Sequence, residues 1–175
     1  MLSTPERIRM LRAVIYQQEP LSVSRVAVSA EVTKGLVSRF LGSLVSFGVL
    51  KRTNTKFVLV DSPLLRSIRI LLNLSSINSS FFKKYKFIES AGLYGSAARG
   101  TNTNLSDFDL WVKVKDSVKD AEIAKFTAAL RNMLPSASIQ ILTPKKLNYL
   151  KSHDETFYHS LFFGSLILCG GGDGI

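Results

Sequence analysis

The chain contains little cysteine, little histidine and no long apolar run. Cys169 is the single cysteine among 175 residues, so no disulfide can form within the chain, and we expect a reducing, cytoplasmic location. His153 and His159 are six residues apart, which is poor spacing for two zinc ligands on one helix face. No apolar stretch reaches the length of a membrane span, and the charged N-terminal residues do not resemble a signal peptide. We therefore expect no membrane partner.

The chain carries a large excess of positive charge. Its formal net charge is +10, with 46% hydrophobic and 21% charged residues, which is a globular composition. Residues 1–62 contain nine basic and four acidic side chains, and the remainder contains fourteen basic and nine acidic ones. Both parts therefore favour polyanionic partners such as nucleic acids or nucleotides.

Residues 1–62 are predicted to form a separate module of three helices and a hairpin. Helix-capping residues stand at positions 3–6, 22 and 33, and apolar side chains recur at helical spacing after each of them. Gly48 ends the third helix. Residues 49–60 then indicate two strands joined by a polar, basic turn.

This module resembles the winged helix-turn-helix domain of prokaryotic regulators. In that family the third helix enters the major groove of DNA, and the hairpin contacts the backbone or the minor groove. The resemblance implies that DNA is a partner. The implied DNA-binding residues are Thr33, Lys34, Ser38 and Arg39 on the third helix, and Lys51, Arg52 and Lys56 on the hairpin. Such domains also serve as protein-docking or dimerisation modules, so formation of a homodimer is an alternative that the sequence allows.

One stretch, residues 93–112, is the most informative about chemistry. Gly95-Ser96 ends one apolar run, and Asp107-Phe108-Asp109 lies in a second apolar run. Residues two apart in a strand point to the same side, so both carboxylates are expected on one face. Two like charges this close raise each other's pKa unless a cation lies between them. A magnesium-type ion with oxygen ligands is the natural occupant, and Gly95 would let a phosphate approach the backbone.

This arrangement resembles the nucleotidyltransferase superfamily related to DNA polymerase beta, in particular its small archaeal and bacterial members. The shared pattern is an apolar residue, Gly-Ser, a short spacer, and Asp-x-Asp flanked by apolar residues. The resemblance implies transfer of a nucleoside monophosphate from a nucleoside triphosphate, with ATP expected, and Mg²⁺ or Mn²⁺ as the cofactor. It implies that Asp107 and Asp109 are the catalytic and metal-binding residues. It also implies that Gly95, Ser96 and Arg99 bind the nucleotide, with a short helix from Ser96 directing its free amides at an anion.

Together the two resemblances predict an α+β chain with two domains. Residues 1–62 would form the winged helix-turn-helix domain, and 63–86 a connecting helical segment. Residues 87–170 would form a polymerase-beta-like nucleotidyltransferase domain, with a mixed sheet flanked by helices. Residues 171–175 are predicted to be a flexible tail.

The second domain departs from the family pattern at one position. In active relatives a third carboxylate usually lies on the strand after the long helix, and here Gln140 takes that place. A glutamine oxygen can bind a metal weakly, but the amide cannot accept a proton from an attacking hydroxyl. Asp154 or Glu155 could substitute by folding back, which the sequence alone leaves open.

Two functions from different classes follow. In the first, the protein is a metal-dependent nucleotidyltransferase coupled to a DNA-binding domain. Its acceptor would be a protein hydroxyl, such as that of a toxin partner in a toxin–antitoxin pair, a nucleic-acid end or a small molecule. In the second, the protein is a DNA-binding transcriptional regulator whose degenerate nucleotidyltransferase domain senses nucleotide or mediates assembly. Gln140 favours the second reading.

Overall fold

The computed structural model describes residues 4–170, apart from the side chain of Phe162, so the predicted tail over 171–175 lies outside the described residues. The helices are α1 (Pro5–Ile15), α2 (Val23–Ala30), α3 (Lys34–Ser46), α4 (Pro63–Ser75), α5 (Gly95–Arg99), α6 (Asp120–Met133), α7 (Pro144–His153) and α8 (Glu155–Phe163). The strands are β1 (Leu50–Thr53), β2 (Lys56–Leu59), β3 (Ile88–Tyr94), β4 (Phe108–Val114), β5 (Ala137–Leu142) and β6 (Leu166–Cys169). A 3-10 helix, Ser79–Lys84, precedes β3.

None of the described helices is both long and apolar enough to cross a membrane.

The chain divides into two compact units. The described part of the first unit comprises residues 4–72 and the short segment Asn102–Leu105, and the second comprises residues 73–101 and 106–170. Each unit has its own apolar core. The division falls inside α4, whose Leu65, Ile68 and Leu72 are buried in the core of the first unit.

The first unit consists of three helices followed by a two-stranded hairpin. Hydroxyl side chains cap each helix, because Thr4, Ser22 and Thr33 accept hydrogen bonds from the backbone amides three residues further on. Strands β1 and β2 pair antiparallel. Leu21 adds a single antiparallel bridge to Phe57, with both backbone hydrogen bonds present at 2.7 and 2.9 Å.

The second unit is built around a mixed four-stranded sheet in the order β5-β4-β3-β6. Strand β3 pairs antiparallel with both β4 and β6, whereas β4 and β5 are parallel. The long helix α6 makes the crossover between the two parallel strands, as a parallel pair requires. The predicted α+β class and mixed sheet with flanking helices are therefore confirmed.

Helices cover both faces of this sheet. On one face, Leu93 of β3 and Leu110 of β4 pack with Phe126 of α6 and Phe82 of the 3-10 helix. On the other face, Trp111 of β4 packs with leucines of α7 and α8. Side chains alternate between these faces along β4, so Asp109, Trp111 and Lys113 lie on the face with α7 and α8.

Candidate nucleotide site

The Gly-Ser turn follows β3 without an intervening loop. Gly95 is the first residue of α5 and has a φ of +69°, a conformation that L side chains rarely adopt. After one short helical turn, Gly100 ends α5 in the left-handed region at φ +67°. The backbone amide of Thr101 donates to the Ser96 carbonyl at 3.0 Å, which closes the turn. Two glycines with positive φ therefore fix the backbone of this segment.

A buried asparagine supports the same segment from below. Asn73, at the end of α4, is only 1% exposed, and its amide nitrogen donates to the Ala97 carbonyl at 2.8 Å. Ala97 itself is fully buried. Buried backbone carbonyls need a hydrogen-bond partner, so Asn73 holds α5 in position. Asn73 was not among the residues that the sequence motifs indicated. The available signal was a lone polar side chain inside the apolar run 70–74.

The Asp109 carboxylate lies directly against Gly95. Tyr94, the residue before Gly95, pairs with Asp109 across β3 and β4. A Cβ atom added to Gly95 would collide with Oδ2 of Asp109. Glycine is thus required here by the positive φ and by the carboxylate that occupies the space of a side chain. The structure brings the Gly-Ser turn and the second carboxylate of Asp-x-Asp together.

Asp107 differs from the strand position that the sequence predicted for it. Strand β4 begins at Phe108, so Asp107 is exposed and lies one residue before the strand. Strand alternation alone therefore does not determine on which side the Asp107 carboxylate lies, and its position on the Asp109 face stays a prediction. Its charge nevertheless acts on Asp109, because burial first and then the negative charge of Asp107 raise the pKa of Asp109.

A cation is already close to this pair of carboxylates. The positive charge of Arg99, at the end of α5, lowers the pKa of Asp109 against those two larger effects. Arg99 is exposed, whereas Ser96 is partly buried at the start of the helix. Tyr94 on the neighbouring strand has a raised pKa, caused mainly by burial and then by the Asp109 charge. Gly95, Ser96, Arg99 and both aspartates thus meet at one end of β3 and β4.

The chemistry of this donor set fits a divalent cation. Asp109 carries an unfavourable negative charge next to a second carboxylate, and Mg²⁺ or Mn²⁺ prefers carboxylate oxygens. Among residues 4–170, no group of three or more His, Cys, Asp and Glu side chains is placed to hold a metal ion. If a divalent cation binds here, the aspartate pair would supply two protein ligands, and the remaining coordination positions would be left to a phosphate and water.

Strand β5 provides no carboxylate on the Asp109 face. Ser138 is the direct partner of Asp109 in the parallel pairing of β4 and β5, and Gln140 is the partner of Trp111. Gln140 shares the Asp109 face but lies two residue pairs further along the strand. Serine and glutamine cannot act as a general base at neutral pH without an activating partner.

Trp111 forms the apolar floor beside Asp109. The indole Nε1–H donates to Ser165 Oγ at 2.8 Å, and a Cβ atom on Gly92 would lie 2.5 Å from the ring. Tyr94 and Phe157 belong to the same cluster, with ring centroids 6.1 Å apart. These contacts fix the orientation of the Trp111 ring next to Asp109 on β4.

In the first unit, the predicted DNA-binding residues are all exposed: Thr33, Lys34, Ser38, Arg39, Lys51, Arg52 and Lys56. Thr33 is the cap of α3, where its hydroxyl accepts from Leu36 N at 3.4 Å. The hairpin residues do not all share a face, because the β1–β2 register places Lys51 and Lys56 on one side and Arg52 on the other. Arg52 instead donates to the Asn54 carbonyl at 3.1 Å and lies over the Phe57 ring.

A family model matches the second unit. Residues 78–169, more than half of the chain, match the polymerase beta nucleotidyltransferase family. The chain therefore belongs to that family, which confirms the resemblance carried by Gly-Ser and Asp-x-Asp. A search of curated proteins gave no match.

Three solved structures are similar to parts of the chain. A toxin-antitoxin in complex with AMP-PNP is 18% identical, with 54% of this chain and 75% of that chain covered and a TM-score of 0.40. A mutant of the toxin-antitoxin MntA-HpeT is 14% identical, with 54% and 75% covered and a TM-score of 0.39. A protein from Rhodococcus sp. RHA1, described as a candidate transcriptional regulator, is 19% identical, with 55% and 41% covered and a TM-score of 0.37.

Proposed function

We propose that this protein is a metal-dependent nucleotidyltransferase that transfers a nucleoside monophosphate from ATP or another triphosphate to an acceptor. The observation that supports this most directly is the contact between the Asp109 carboxylate and Gly95. It joins the turn that would receive phosphates to the carboxylates that would hold Mg²⁺ or Mn²⁺. The raised pKa of Asp109 is consistent with a site that is completed by a bound cation.

Each residue of the site has a role in this proposal. Asp107 and Asp109 bind the metal ion, which when present neutralises phosphate charge and orients the triphosphate. Ser96 donates its hydroxyl to a phosphate oxygen, and the bare backbone of Gly95 allows that phosphate to come close. Arg99 contributes a fixed positive charge to the same phosphates. The acceptor class is a protein hydroxyl, a nucleic-acid end or a small molecule.

Calorimetric titration tests the nucleotide site directly. ATP and the other three triphosphates are titrated into the protein with magnesium and with chelator, and the titrations are repeated on Asp107→Asn. We expect magnesium-dependent binding that the variant loses by at least about tenfold. Asp116→Asn is the matched control, because Asp116 is an exposed carboxylate beyond the other end of β4. Absence of binding for every triphosphate would refute the proposal.

We further propose that the first unit is a winged helix-turn-helix domain that binds DNA. Three helices, a hairpin and the Leu21–Phe57 bridge support this assignment. The face of α3 that would enter the groove is exposed, and residues 32–47 contain no acidic side chain. Lys34, Ser38 and Arg39 on that face could contact phosphates or base edges.

Selection of duplexes from a random pool, followed by fluorescence anisotropy, tests this second part. We expect Arg39→Ala to weaken binding of the selected duplex by about tenfold, since a charged contact to DNA is lost. Arg131→Ala is the control, because it removes the same charge from an exposed position on α6. Equal losses in the two variants would show that only net charge matters, and the α3 assignment would be wrong.

The second candidate function is a regulator whose nucleotidyltransferase domain no longer transfers nucleotides. The residues on the Asp109 face of β5 favour it, because neither Ser138 nor Gln140 is a carboxylate. Incubation with ATP labelled at the α-phosphate separates the two functions. Label transferred to protein, nucleic acid or a small acceptor, and lost in Asp107→Asn, supports the enzyme. Magnesium-dependent ATP binding without any transfer, together with DNA binding that Arg39→Ala weakens, supports the regulator.

A further inference from the structure

A groove of about 410 Å³ lies between α1 and α3 of the first unit. Its volume is within the roughly 300–1,000 Å³ that is typical of small-molecule sites. Its lining residues are Arg7, Met10, Leu36, Arg39, Phe40, Ser43 and Phe47. No step of the proposed nucleotide chemistry uses this groove.

The floor of the groove is apolar. Met10 is fully buried and Phe40 is 6% exposed, and both belong to the core of the first unit. Phe47 forms part of the wall just after α3 and is 54% exposed, which is unusual for a large aromatic side chain. A bound apolar group would cover this ring and remove apolar surface from water.

All formal charges that line the groove are positive. Arg7 and Arg39 lie at the rim, and none of the lining residues is acidic. Within residues 4–170, the Arg39 guanidinium forms no ion pair. The groove therefore presents a positive potential above an apolar floor.

We infer that this groove binds an amphipathic organic anion, meaning a small molecule with a carboxylate or sulfonate group on an aromatic or aliphatic body. The anionic group would pair with Arg39, and the apolar body would lie on Met10 and Phe40 against Phe47. A guanidinium pairs well with planar carboxylates because it offers two parallel donors. Polyanions such as DNA would use the arginines but would leave the apolar floor unfilled.

Binding in this groove has a consequence for DNA recognition. Arg39 lines the groove and also belongs to the proposed DNA-binding residues, so the ligand and DNA compete for one guanidinium. This consequence rests on the proposed DNA-binding function, whereas the ligand site itself does not. An organic anion would then act as an inducer that releases the protein from DNA.

Titration with anilinonaphthalene sulfonate, an aromatic sulfonate that fluoresces in apolar sites, tests the ligand site without DNA. We expect saturable binding of one molecule per chain, with about tenfold weaker binding in Arg39→Ala and in Phe47→Ala. Lys34→Ala and Arg131→Ala should bind like wild type, because neither side chain lines the groove. N-phenylnaphthylamine, the uncharged analogue, should bind wild type more weakly than the sulfonate does. Its affinity for Arg39→Ala should equal its affinity for wild type.

Three results would overturn the inference: more than one bound molecule per chain, equal binding of the charged and uncharged probes to wild type, or no effect of Arg39→Ala and Phe47→Ala. Circular dichroism of each variant checks the fold, and Phe47→Ala is expected to fold because its ring is largely exposed.

Competition is then measured with the selected duplex. We expect the probe to displace DNA from wild type but not from Phe47→Ala, whose DNA affinity without probe should be unchanged. A probe that binds wild type without displacing DNA would overturn the inducer role. A protein that binds no DNA would refute the DNA-binding proposal and leave the fluorescence titration as the test of the groove.

Discussion

At the residue scale, the most informative contact is the one between Gly95 and Asp109. Glycine is required there by its φ of +69° and by the carboxylate that fills the Cβ position. Any side chain at Gly95 would displace Asp109 and break the site, because L residues disfavour that backbone conformation. The proposed nucleotide site therefore depends on Gly95, which has no side chain, and on Asp109, whose negative charge is unfavourable in the folded protein.

Asp109→Asn is expected to stabilise the metal-free protein. The raised pKa means that the folded chain holds the Asp109 proton more tightly than the unfolded chain, so the free energy of unfolding falls as the pH rises through that window. Above the window, we expect the variant to melt at a higher temperature than wild type, because it lacks the unfavourable charge. Below this pH window the difference in melting temperature should vanish, because the protonated Asp109 of wild type is then uncharged, like the asparagine of the variant.

Thermal unfolding with added magnesium completes this test. Magnesium should raise the melting temperature of wild type, because a ligand that binds the folded state stabilises it, and should not raise that of Asp109→Asn. Asp116→Asn should behave like wild type under all these conditions. Identical melting of Asp109→Asn and wild type at high pH would show that the Asp109 charge is not unfavourable in the fold.

At the residue scale, the sequence was sufficient where a motif is defined by residue types at a fixed spacing. Gly-Ser and Asp-x-Asp identify the family, and the structure brings Gly95 and Asp109 together. The sequence did not specify that β4 begins just after Asp107, or that Gln140 pairs with Trp111. Strand ends and registers depend on pairing between distant segments, and a single sequence does not contain that information.

At the element scale, Asn73 at the end of α4 supports the Gly-Ser turn and α5 through one hydrogen bond. Asn73→Ala would remove the donor to the buried Ala97 carbonyl, and an unsatisfied buried carbonyl costs about 1–3 kcal/mol. We expect ATP binding, measured by calorimetry at a temperature where the variant is folded, to weaken by about tenfold as the α5 turn loosens. Asn132→Ala, on the exposed side of α6, is the control. A variant that loses stability but binds ATP normally would show that Asn73 has no positioning role.

Elements were predicted well from local signals. Capping hydroxyls at Thr4, Ser22 and Thr33 mark the starts of α1, α2 and α3, and the structure shows each side chain accepting its hydrogen bond. The strand order β5-β4-β3-β6 was not predicted, because β6 comes last in the chain yet pairs with β3. Local patterns specify an element but not its neighbour in a sheet.

At the scale of the whole molecule, the net charge of +10 means that the proposed DNA binding should depend strongly on salt concentration. If Lys34, Arg39, Lys51 and Lys56 each neutralise one phosphate, a roughly fourfold rise in salt should weaken binding about a hundredfold. Anisotropy titrations over a salt series measure the slope of log affinity against log salt concentration. Lys56→Ala should reduce the magnitude of that slope by about one. A slope close to zero would contradict DNA binding through the phosphates.

The buried indole of Trp111 also gives the protein an intrinsic fluorescent reporter close to Asp109. Trp111 is the only tryptophan in the sequence, so emission excited at the red edge of the aromatic band arises from a single known position. The ring is 1% exposed and is held by Ser165, and it lies on the same strand face as Asp109. Arrival of a triphosphate at the Gly-Ser turn would change the colour or lifetime of that emission. Nucleotide binding can therefore be followed in real time, without attaching a dye.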